Sequence, residues 1–103
     1  MYYRDLRRQE VYSAIDEERD YQDDKWNYGT TDSGGKHSVA EFLVYIRDYT
    51  EEALHTLSRK SEPECNVFAG NSVRKIAGLA VACMEQNGVY HRNGDIVKNE
   101  NKE

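Results

Sequence analysis

Between residues 6 and 26, Val11, Ile15, Gln22 and Trp26 recur on one stripe at helical spacing, which predicts a first helix. Arg19 lies on the same stripe, four residues after Ile15. A guanidinium and an amide that point the way of a core residue need partners, or they face a pocket. Residues 27–37 break the pattern. They hold Gly34-Gly35 and nearly every other loop former, and they show no hydrophobic period. Such a loop is either a connector or a flap over a ligand.

The second helix opens on Ser38-Val39-Ala40-Glu41, a capping box in which serine and glutamate satisfy reciprocal backbone donors. Its apolar stripe follows at Val39, Phe42, Leu43, Ile46, Tyr49 and Ala53, then Leu54 and Leu57, and it should end near Arg59 or Lys60. Residues 61–70 are ambiguous, because Pro63 suits a first helical turn while Gly70 argues for a break. The last helix is therefore expected to start at a cap on Asn71 or Ser72 and to stop at Asn87-Gly88. Its centre, Ile76 to Met84, is apolar all round, as in a helix surrounded by protein. Three helices could hardly cover every side of it. The expected fold is all-α, with three main helices per subunit that complete a helical bundle by oligomerisation. Residues 1–92 should form this single domain, and 93–103 a polar, flexible tail.

Composition narrows the function. At 103 residues the chain makes one domain with a modest core, and self-association adds burial. The net charge of −5 is spread along the chain, which argues against a nucleic-acid polymer as partner but leaves room for a local cationic pocket. Cys65 and Cys83 lack metal-site spacing and a disulfide framework. No apolar run reaches the ~20 residues of a membrane span and no signal peptide opens the chain, so no membrane partner and a cytoplasmic location are expected.

The densest chemistry lies in Glu18-Arg19-Asp20-Tyr21-Gln22-Asp23-Asp24-Lys25-Trp26. Arg19 and Lys25 suit phosphate oxygens, Gln22 suits a base edge, and Tyr21 and Trp26 suit stacking on a base. The plainer reading is a charged helix end laced with ion pairs. Eight tyrosines add flat faces with polar tips, suited equally to half-buried packing. Asp48, Glu51 and Glu52 share one helix face, and Asp48 and Glu52 are the candidate metal ligands. Arg74 and Lys75 are expected in the first turn of the last helix, where its dipole would help them hold an anion. Arg92, just beyond that helix, is a further candidate ligand residue reaching toward a neighbouring subunit.

The segment Glu18–Trp26, the helix Glu41–Leu57 led by Phe42, and Val73–Glu85 together resemble phage and prophage proteins of the all-α nucleotide pyrophosphohydrolase (MazG-like) superfamily. The resemblance covers about residues 11–92 and rests on the order of the motifs. It implies helical subunits that dimerise or tetramerise and hold a nucleotide over magnesium. The family's first acidic set, E-E-x-x-E, falls here on Asp48, Tyr49, Glu51 and Glu52. The second set should open the last helix, where Asn71, Ser72, Arg74 and Lys75 supply no carboxylate. Magnesium gripped from one helix alone is held weakly and positions no water.

The leading expectation is thus a non-catalytic nucleotide-binding protein without a cofactor. A phage origin would make it an anti-defence sponge that sequesters a (cyclic) nucleotide signal in the host-cell cytoplasm. One alternative is a magnesium-dependent nucleoside triphosphate pyrophosphohydrolase. The other is a homo-oligomer, dimer or higher, that acts only through protein partners.

Overall fold

The computed structural model describes residues 3–25, 36–59 and 63–97. Three helices pack together: α1 (Tyr3–Lys25), α2 (Val39–Arg59) and α3 (Pro63–Asn87). Trp26, the Gly34-Gly35 loop and residues 98–103 lie outside the described residues. The all-α expectation holds, with α3 as the central helix. Both α1 and α2 lean on α3, and they scarcely touch each other.

The second helix starts where its capping box says. The Ser38 N–H donates to Glu41 Oε1 at 2.8 Å, and the Glu41 N–H donates to Ser38 Oγ at 3.1 Å. Phe42 and Leu79 are fully buried and, with Ala82, form the core between α2 and α3. Ile46, Tyr49 and Cys83 pack around it. The predicted stripe divides: Phe42 and Ala53 are buried, whereas Val39, Leu43, Leu54 and Leu57 remain exposed.

The expected break at Gly70 does not occur. Helix α3 runs unbroken from Pro63 to Asn87, so neither Asn71 nor Ser72 is a cap. Ser72 is buried and its hydroxyl donates to the Phe68 carbonyl one turn back at 3.2 Å. A single glycine costs a helix only about 1 kcal/mol relative to alanine, and packing on two neighbours outweighs that. The stop is as read: Gly88 takes φ +95° and its N–H donates to the Met84 carbonyl at 2.8 Å.

By length and composition alone Glu64–Asn87 could cross a membrane, whereas the residue pattern predicts no such run. It contacts both α1 and α2, and 22% of that apolar window is buried inside the molecule.

Beyond α3 the chain turns back on itself. Tyr90 and Ile96 form an antiparallel bridge, and the His91 N–H donates to the Asp95 carbonyl at 2.7 Å. Gly94, at φ +96°, supplies the left-handed residue of this short hairpin. The described residues end at Val97, within the 93–103 segment that the sequence assigns to a polar tail.

Candidate functional site

The residues singled out in the first helix meet α3 along a polar contact. Glu18 and Gln22 are buried, 6% and 3% exposed, on the α1 face that crosses α3 at Gly78. A Cβ at residue 78 would lie 2.8 Å from Gln22 Nε2 and 2.9 Å from Glu18 Cγ, so only glycine allows this approach. The Gln22 amide donates to Glu18 Oε2 at 3.1 Å and to the Lys75 carbonyl at 3.3 Å. Arg74 Nε donates to Glu18 Oε1 at 2.9 Å.

Arg19 completes the network. It donates to Glu85 Oε1 at 3.0 Å, Gln22 Oε1 at 3.2 Å and Asp23 Oδ1 at 2.7 Å. Burial disfavours the Arg19 charge, but hydrogen bonds and charge from Asp23 and Glu85 outweigh it and hold the pKa above the ordinary value. Of the two outcomes open to Arg19 and Gln22, partners or a pocket, the structure supplies partners. Tyr21 and Lys25 stay exposed at the end of α1, with Lys25 Nζ 5.8 Å from the Tyr21 ring centre.

Arg74 and Lys75 are not in a first turn, because α3 begins at Pro63. About three turns in, the helix dipole no longer favours an anion beside them. They point to different neighbours instead. Arg74 pairs with α1, and Lys75 Nζ lies 5.9 Å from the Tyr49 ring centre of α2.

The Lys75 contact borders a pocket of about 370 Å³ lined by His37, Phe42, Tyr45, Asp48, Tyr49 and Leu79. Its rings meet edge to face: His37 to Phe42 at 5.7 Å, His37 to Tyr45 at 5.4 Å and Phe42 to Tyr45 at 6.4 Å between centres. The end of α3 fixes His37. The His37 N–H donates to Gln86 Oε1 at 2.8 Å, and Asn87 Nδ2 donates to the His37 carbonyl at 3.0 Å. The volume falls within the ~300–1000 Å³ of small-molecule sites, and the lining is mainly aromatic with one carboxylate.

Of the candidate metal ligands, Asp48 lines this pocket, while Glu52 stands exposed one turn further along α2. Among the described residues no group of three or more His, Cys, Asp or Glu side chains is placed to hold a metal ion. Cys65 and Cys83 are free thiols. Arg92 is exposed in the turn of the C-terminal hairpin.

Sequence reasoning passed over His37, Tyr45 and Tyr49 as site residues. Tyr45 and Tyr49 are four apart on one helix, so they present neighbouring rings. His37 directly precedes the capping serine, which ties its position to the helix start. No family model, no curated protein and no solved structure matches this chain.

Proposed function

We propose that the protein binds a nucleotide without turning it over, in the pocket between α2 and α3. The observation that carries this reading is the ring-lined pocket itself, with Lys75 beside Tyr49 at its border. Aromatic faces hold a base whatever its sequence context, at about 1–3 kcal/mol per stacked base. Lys75 supplies a cation for a phosphate, and Asp48 an acceptor for base N–H groups. The resemblance to MazG-like phage proteins supports a nucleotide over other planar ligands. In a phage this protein acts as a cytoplasmic sponge for a nucleotide signal.

The contact set differs from the sequence expectation. Arg19, Gln22 and Arg74 hold α1 to α3, so the ligand meets Tyr45, Tyr49, Asp48 and Lys75 instead. A magnesium-dependent pyrophosphohydrolase is less well supported, because Asp48 has no partner acids across the pocket among the described residues.

The test is a thermal-shift screen of nucleoside triphosphates and cyclic dinucleotides, followed by mass spectrometry of ligand released by heat. At least one nucleotide should stabilise the protein and be recovered intact. Tyr49→Ala and Lys75→Ala should each weaken its binding by about 1–3 kcal/mol. Unchanged affinity in both variants, or no shift with any nucleotide, removes the pocket as a nucleotide site. Magnesium-dependent pyrophosphate release that is lost in Asp48→Ala establishes the enzyme instead.

A further inference from the structure

The polar groups of the α2–α3 pocket are few, and they differ in what they can select. The phenol hydroxyls of Tyr45 and Tyr49 both donate and accept, so they suit any base. Lys75 only donates, and its ammonium suits a phosphate. His37 turns its Nδ1 toward Glu41, 3.8 Å from Oε2. Asp48 is the one carboxylate among the described lining residues. A carboxylate accepts through two oxygens and donates nothing.

Asp48 follows Tyr45 by three residues and directly precedes Tyr49. Helical register therefore sets its carboxylate beside both rings, within reach of the edge of a base laid on either. Its acceptor capacity is unspent. The charge partner of Asp48 among the described residues is Arg47, with Nε 3.9 Å from Oδ1, longer than a hydrogen bond. Glu52, one turn beyond Asp48, repels phosphate and leaves that group to Lys75.

Resting on the nucleotide reading of this pocket, we infer that the base it takes is guanine and that Asp48 selects it. The common bases present different edges. Guanine carries two adjacent donors, N1–H and the 2-amino N–H, which meet the two oxygens of one carboxylate. Adenine and cytosine offer one amino donor beside a bare ring nitrogen, whose lone pair would face the second oxygen. Uracil and thymine set their single N–H between two carbonyls. Guanine alone fills both oxygens of Asp48 without placing acceptor against acceptor. The Asp48 side chain is 63% exposed, so water competes for it. The preference for guanine should then be roughly tenfold, near the low end for a bidentate contact.

Isothermal titration calorimetry of the full chain with GTP, ATP, CTP, UTP and ITP, without magnesium, tests this. GTP should bind about tenfold more tightly than each of the others. ITP keeps N1–H but lacks the 2-amino group, so it isolates the second bond. Asp48→Asn keeps the shape of the side chain and turns one acceptor into a donor. It should weaken GTP about tenfold and raise the affinity for XTP, whose 2-carbonyl accepts from that donor, at least to the level of GTP. A purely structural role for Asp48 would weaken both. ATP, CTP, UTP or ITP bound as tightly as GTP, or a GTP preference kept in Asp48→Asn, overturns the guanine inference and leaves the nucleotide reading standing. Binding of no nucleotide at all overturns both.

Discussion

Gly70 and Gly78 occupy the same helix under opposite conditions. Nothing lies within 4 Å of a Cβ built on Gly70, whereas one built on Gly78 meets Gln22 and Glu18 at 2.8 and 2.9 Å. Both residues lack a positive φ, so only space decides the sign. Gly70→Ala should raise stability by about 0.5–1 kcal/mol through helix propensity alone. Gly78→Ala gains the same propensity but must displace a buried amide bonded to Glu18, Arg19 and the Lys75 carbonyl. Overpacking of this kind costs about 1–3 kcal/mol, so the net change should be a loss. Urea denaturation of the two variants checks both signs, and a stabilising Gly78→Ala would mean that α1 does not sit tightly on α3.

Helix α2 depends on its start. The Ser38 backbone N–H holds the Glu41 carboxyl below its ordinary value of 4.5. A carboxyl lowered in the folded state contributes stability that is complete above the unfolded value and is lost as pH falls through the folded one. The wild type should therefore lose melting temperature on acidification more steeply than Glu41→Gln, whose amide oxygen accepts the same bond at every pH. Equal acid slopes for the two proteins contradict a titrating cap. Ser38→Ala, which removes the other half of the box, should cost about 1 kcal/mol at neutral pH.

The α2 cap was legible because four adjacent residues determine it. The unbroken course of α3 was not, because Gly70 is outweighed by contacts with α1 and α2 that no local pattern records. Likewise helical spacing points Arg19 and Gln22 inward, but their partners Glu85 and the Lys75 carbonyl are more than fifty residues away. The pocket escaped for the same reason, since Leu79 and Tyr49 become neighbours only after folding.

Across the whole molecule, the two contacts made by α3 differ in kind. Toward α2 it offers Leu79 and Ala82 to Phe42, an apolar contact. Toward α1 it offers Arg74, Glu85 and the Lys75 carbonyl to Glu18, Arg19 and Gln22, a polar one. Glu18 accepts from both Arg74 and Gln22. Glu18→Ala should cost about 1–3 kcal/mol, because it leaves one N–H of the buried Gln22 amide and the Nε–H of the partly exposed Arg74 guanidinium without an acceptor. Because α1 and α2 each rest on α3 and scarcely on one another, each should be able to come away from α3 without the other. Sodium chloride screens the first attachment and sulfate strengthens the second. Amide hydrogen exchange should register this as three separate clocks, with α3 slowest. Added sodium chloride should quicken α1 while leaving α2 at its former rate. Parallel acceleration of both helices would mean that they are released together.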